Sequence, residues 1–132
     1  MAFRLTTFRY LSPPKRGQGL RVGTTRRPPR GKKERDWQAE GYFDIWLPLL
    51  APSAALLARS EIVTKDDYRK FCERYEREIM KRSDARRALD LLAAFAARTP
   101  VSIGCFCADE SICHRTHLKK LIERRAKELK LL

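Results

Sequence analysis

Apolar positions along this chain change period, from short runs typical of strands to stripes typical of helices. Residues 3–10 mix apolar, aromatic and β-branched side chains and predict a strand. Pro13, Pro14, Gly17 and Gly19 then break the pattern. Residues 20–25 predict a second strand, which runs into 26–33, where Pro28, Pro29 and Gly31 rule out regular structure. Residues 42–47 predict a short strand or a buried turn. Ser53 is placed to cap a helix over 54–59, and Thr64 with Asp67 forms a capping-box pattern with Asp in the Glu/Gln position.

Tyr68, Phe71, Cys72, Tyr75 and Ile79 follow that cap at the spacing of one helical face, which makes Cys72 a small core side chain. Ser83 or Asp84 caps a further helix that runs through Ala97 and ends at Thr99-Pro100. Residues 101–106 form a short apolar run and predict a central, buried strand. A last helix over 112–129 points Leu118, Leu121, Ile122 and Leu129 inward and Lys119, Lys120, Arg124 and Lys127 outward. Strands and helices in this order predict one α/β domain over residues 1–132, a sandwich with a largely parallel central sheet and helices packed on it.

Composition agrees with a folded domain: 43% of the 132 residues are hydrophobic, enough to build a core beside 34% charged residues. No stretch approaches the roughly 18 consecutive apolar residues of a membrane span, and the segment beginning at Met1 lacks a secretory pattern. A soluble, cytoplasmic protein with no membrane partner is expected. There is no Asn, and Gln occurs only at Gln18 and Gln38, a depletion of heat-labile amides that suggests a thermophilic host. Such a host relaxes the rule that intracellular proteins avoid disulfides.

The formal charge of +13 is uneven. Residues 1–35 carry eleven Lys/Arg and one Glu, a net of +10, whereas 36–110 carry −2 and 111–132 carry +5. A positive field at the two ends attracts anions without identifying them.

Five of the six Cys and His residues, Cys105, Cys107, Cys113, His114 and His117, fall within 13 positions. They span a strand end, a loop and a helix start, where open parallel sheets collect ligands and where helix N–H groups bind anions and acidify thiols. Cys113, beside His114 and Arg115, is the first candidate for a nucleophilic or anion-contacting thiolate, with Cys105 and Cys107 as further candidates. Three readings fit the segment: a substrate pocket with a reactive thiol, a metal site using Cys105, Cys107, Cys113 and His117, and a structural role such as a Cys107–Cys113 disulfide. The metal reading is weakened because zinc sites usually pair ligands with two to four residues between them, whereas Cys105 and Cys107 have one. No arginine stands at the spacing of a phosphatase loop.

On these residues the chain resembles the domain of unknown function 488 family, in its shorter branch, a group of bacterial and archaeal α/β proteins. The apolar strand leading into cysteines and then Cys113-His114-Arg115 is similar to the family's C-terminal signature. Arg21-Val22, the Arg/Pro loop at 26–31 and Ala51-Pro52-Ser53 are similar to its other landmarks. Where the family often has Asp before the first loop arginine, this chain has Thr25. The resemblance implies the fold and the place of the site and implies no particular activity.

Together these features point to a small-anion or phosphate-bearing ligand held by Arg26, Arg27 and Arg30 of the loop and by His114 and Arg115 of the helix start. A cysteine of the pocket would then carry a transferred group, such as sulfur. The rival expectation is a nucleic-acid partner bound by the basic N-terminal region and the last helix. Tyr10, Trp37 and Tyr42 flank the basic region and suit stacking on bases, although core or rim packing is the preferred role for each. The arginines also suit surface ion pairs. No motif specifies a cofactor or an oligomeric state.

Overall fold

In the computed structural model, which describes residues 3–132, the strands Leu5–Arg9 (β1), Leu20–Gly23 (β2), Ile45–Trp46 (β3) and Val101–Cys105 (β4) form one sheet. Among the described residues its order is β1-β4-β2-β3 and every pairing is parallel. Met1 and Ala2, which open the segment read for a leader, lie outside the described residues. The α/β class is as the pattern predicted, and the sheet is wholly parallel rather than largely so. Parallel neighbours need long crossovers, and the chain supplies one between β3 and β4 that holds three helices. These are Ala54–Arg59 (α1), Lys65–Lys81 (α2) and Ser83–Ala96 (α3), and His114–Glu128 (α4) follows β4. No helix among the described residues is long and apolar enough to cross a membrane.

Side-chain alternation divides the sheet into two faces. Leu5, Val22, Val101 and Ile103 join buried residues of all four helices in one core. The opposite face is covered by a second cluster of Phe8, Tyr10, Trp37, Tyr42 and Phe43, with Trp46 at its edge. Strand β4 is buried along its whole length because it is covered on both faces and paired on both edges. Gly23 and Gly104 keep this second layer close: a Cβ on Gly23 would lie 2.4 Å from the Phe43 ring, and one on Gly104 would lie 2.5 Å from that of Phe8. Arg21 is also buried on this side, its guanidinium 4.1 Å from the Phe8 centroid and its Nη2 donating to the Ser12 carbonyl at 3.1 Å.

The caps follow the sequence in two cases and depart from it in two. Ser53 accepts from the Leu56 N–H at 3.0 Å, and Thr64 and Asp67 complete a reciprocal capping box. Helix α3 is preceded by Arg82 as its cap residue, with no side-chain cap, so Ser83 and Asp84 fall inside it. Leu129 is exposed at 38%, against the expectation of an inward position. The cause is local: Lys130 adopts a left-handed φ of 58°, and the Leu131 N–H donates to the Ala126 carbonyl at 2.8 Å. This reversal closes the helix and folds Leu131, rather than Leu129, back onto the core.

Candidate functional site

The carboxyl ends of β2 and β4 are neighbours, so whatever follows each strand meets above the sheet. Thr24 continues the helix-facing alternation of Val22, and Cys105 continues that of Ile103. Helix α4 begins directly against them. A cavity of about 770 Å³ opens here. It brings together the loop residues Arg26, Arg27 and Arg30 and the segment residues Cys105, Cys107, Cys113 and His114.

Within this site Cys105 and Cys113 are both buried, and their sulfurs lie 2.7 Å apart. The Cys105 sulfur also receives the Arg115 Nη1–H at 3.1 Å and the Cys107 backbone N–H at 3.4 Å. The Cys113 S–H and these two donors surround one acceptor and favour its anion. They outweigh burial and hold the Cys105 thiol below the usual thiol range. Cys113 moves the other way, since it donates to Cys105, is buried and faces a neighbouring negative charge. The donors around Cys105 therefore favour the anion there over Cys113, the position expected from the helix start.

Arg115 was expected to clamp a ligand, but the structure places it elsewhere. Its guanidinium is buried behind the cysteines, donating to the Cys107 carbonyl at 2.7 Å and to both sulfurs, and it does not line the cavity. The cation faces the thiolate, not the open space. Arg26, Arg27 and Arg30 do line the cavity; they are exposed and form no ion pair among the described residues.

His114 lies beside this pair with its tautomer set by Thr24. The Thr24 hydroxyl donates to the Gly104 carbonyl at 2.9 Å, which leaves only its lone pairs for His114 Nε2 at 3.0 Å. The Thr24 carbonyl is a second acceptor at 3.0 Å from the same nitrogen. Nε2 therefore carries the hydrogen, and Nδ1 presents a lone pair 3.8 Å from the Cys113 sulfur. Burial lowers the His114 pKa from 6.5 to about 4, against a raising contribution from Thr24, and the Arg115 charge lowers it further. The ring is neutral at pH 7.

A stability consequence follows with a defined sign. The folded pKa lies below that of the unfolded chain, so unfolding takes up a proton at intermediate pH. The stability is fully present above about 6.5 and is lost as pH falls towards about 4, by on the order of 3 kcal/mol. Carboxylates held low by ion pairs, such as Asp90 beside Arg125, act below this window. The lowered Cys105 thiol adds a loss of its own as pH falls through about 6, in the native chain and the His114 variant alike. Urea denaturation at pH 7 and pH 4.5 is expected to show this loss in the native chain and a flatter profile in His114→Gln. Equal slopes would refute the assignment.

Other expected participants are not assembled. His117 is turned away to Glu76 on α2, 2.9 Å from its carboxylate, and lines a separate cavity of about 470 Å³ with Cys72. The Cys107 sulfur donates to the Asp109 carbonyl at 3.4 Å. The expected metal set of Cys105, Cys107, Cys113 and His117 thus does not converge, and neither does a Cys107–Cys113 pair. Cys105, Cys113 and His114 do bring ligand atoms within 4.8 Å of one another. Two sulfurs on a tetrahedral zinc would stand roughly 3.8 Å apart, however, and Arg115 already supplies the cation.

Two residues in the site carried no chemical signal in the sequence. Thr24 orients His114, and Tyr68 donates from α2 to the Cys113 carbonyl at 2.8 Å. Thr25, in the position where the family often has Asp, shapes the arginine loop: its hydroxyl contacts the Tyr10 hydroxyl and the Arg27 carbonyl, both at 2.9 Å. Tyr10, Trp37 and Tyr42 are buried in the second cluster, the packing role preferred for them over stacking on bases.

These features define an all-parallel α/β protein with a paired-thiol, guanidinium-supported site at the carboxyl ends of its strands. A family model described as the active DUF488-N3 subclade (DUF488-N3a) matches residues 5–126, and the chain belongs to the DUF488 family. Neither the curated proteins nor the solved structures include a significant match to it.

Proposed function

We propose that this protein binds a small organic or inorganic anion in the cavity above β2 and β4 and uses Cys105 as the nucleophile of a sulfur-transfer step. One observation carries the reading: a thiolate stabilised from behind by Arg115 opens onto a cavity whose loop wall is Arg26, Arg27 and Arg30. The nucleophile and the anion-attracting charges are separate groups, so each performs one task. Apolar side chains of Leu57, Ile62, Phe71, Phe106 and Ile112 line the remaining wall and suit the body of an organic anion.

Thiosulfate is the simplest probe. The Cys105 thiolate attacks its outer sulfur, a Cys–S–S bond forms, the S–S bond of thiosulfate breaks and sulfite leaves with the electron pair. Incubation with thiosulfate, followed by peptide mass mapping and a sulfite assay, is expected to find one added sulfur on Cys105 and matching sulfite release. Persulfide on no cysteine, or equal labelling of Cys105→Ser and native protein, overturns the reading. Arg27→Gln is expected to raise the thiosulfate concentration for half-maximal rate about tenfold, with the saturated rate little changed, because a charge-assisted contact contributes about 1.5–3 kcal/mol.

The nucleic-acid reading rests on charge alone, since the three aromatic side chains near the basic region are buried and offer no stacking platform. A gel shift is expected to show no strongly salt-dependent complex, and one that weakens steeply with salt would favour that reading instead.

A further inference from the structure

The proposed transfer uses one sulfur, yet the site holds a second in contact with it. Cys105 and Cys113 come from opposite sides of the loop over 106–112, and their sulfurs stand 2.7 Å apart against a covalent S–S length of about 2.05 Å. Cys107, closer in sequence to Cys105, sends its sulfur to the Asp109 carbonyl instead. The two partners differ in surroundings. Arg115 Nη1 is nearer to Cys105, at 3.1 Å against 3.6 Å to Cys113, the Cys107 N–H points to Cys105, and the Cys113 sulfur faces His114 Nδ1 at 3.8 Å. That nitrogen is an acceptor because Thr24 holds the hydrogen on Nε2. An acceptor poised beside a neutral thiol is not needed for attack by Cys105.

We propose that Cys105 and Cys113 are the attacking and resolving thiols of a thiol–disulfide exchange site, with His114 as the base for the second step. The Cys105 thiolate attacks one sulfur of an external disulfide RSSR, forming a Cys105–SR bond and releasing RS⁻. The Cys113 proton then passes to His114 Nδ1, and the Cys113 thiolate attacks the Cys105 sulfur. The Cys105–Cys113 bond forms, the second RS⁻ leaves, and it takes the proton from the imidazolium. The external disulfide is reduced by two electrons and the cysteine pair is oxidised by two. Burial disfavours charged His114, so the proton is held only in passing. The proposal shares the Cys105 nucleophile with the reading above but requires no anionic ligand.

Hydroxyethyl disulfide, which is uncharged, separates the two. The full chain, reduced and then exposed to this reagent, is expected to fall from four free thiols to two, and non-reducing peptide mapping is expected to join Cys105 to Cys113. Cys113→Ser is expected to stop at a stable mixed disulfide on Cys105. His114→Gln is expected to form that mixed disulfide at the native rate and to close the internal bond about a hundredfold more slowly. Four thiols persisting in the native chain, or a bond to Cys107 or Cys72, overturns the exchange site without reference to any variant. Closure at the native rate in His114→Gln overturns the base assignment. Failure of thiosulfate transfer with success here removes only the anion reading, and the reverse result removes only the resolving role of Cys113.

Discussion

Replacing Arg115 with methionine is expected to raise the reactive midpoint of Cys105 part of the way towards the ordinary thiol range near about 8.5, because the Cys113 S–H and the Cys107 N–H still stabilise the anion. The guanidinium is the one cationic donor to this sulfur among the described residues, at 3.1 Å, and it is buried with it. In a dry setting that pairing is worth far more than at a surface. The effect on rate depends on pH. Each unit by which a thiol pKa drops raises its thiolate fraction tenfold in acid, while intrinsic nucleophilicity falls only about threefold. Alkylation by iodoacetamide at pH 6 is therefore expected to slow several-fold in the variant. At pH 9, where native and variant thiols are both largely ionised, it is expected to speed up by roughly threefold for each unit by which the pKa rises. Stability falls as well, by about 3 kcal/mol, because the Cys107 carbonyl loses its 2.7 Å donor inside the protein. Arg115→Lys restores the charge but not the forked contact to two sulfurs and a carbonyl, and recovers only part of the shift. An unchanged pH profile in the methionine variant would remove Arg115 from the account of the thiolate.

The largest loss of stability is expected from Gly104→Val. This residue sits in the buried strand β4, paired with Phe8 on one side and Gly23 on the other. A Cβ there would lie 2.5–2.6 Å from three atoms of the Phe8 ring. That ring has little room to yield, since Arg21 covers it at 4.1 Å and Tyr10 packs 6.0 Å from its centre. Overpacking of a dense interior costs about 1–3 kcal/mol, and the branched valine lies at or beyond the upper end. Against a total stability of about 5–15 kcal/mol, this is expected to lower the urea midpoint sharply. Gly104→Val combined with Phe8→Leu is expected to recover part of the loss, because the two residues share one space. Full additivity of the two changes would show that the clash is not with Phe8.

How far the residues alone could lead differs between the fold and the site. The stripe of Phe71, Cys72, Tyr75 and Ile79, the Thr64–Asp67 box and the apolar run of β4 are local patterns, and each forms as its spacing implies. Helical and strand periods are short-range properties, so the sequence by itself determined the α/β class and the strand-to-helix position of the cysteines. The loop arginines and the cysteine segment were also legible as candidates, because uneven charge and clustered thiols are visible in one dimension. Their meeting at one site was expected from the ends of the strands, and it comes about because β2 and β4 are neighbours although some eighty residues separate them.

The same distance explains the misplaced roles. Closeness in sequence grouped His117 with the cysteines as a metal ligand, but packing against α2 turned it to Glu76. Adjacency in sequence suggested Cys113 as the thiolate, whereas three donors from different parts of the fold converge on Cys105. Thr24 read as an ordinary strand residue until the sheet brought His114 to it. Secondary structure is set by a few neighbouring residues, while a pKa or a tautomer is set by whichever groups lie within a few ångströms. The sequence determined which chemical groups this protein has and which elements carry them; the tertiary structure decided which sulfur bears the charge, which nitrogen the proton and which arginine faces the cavity.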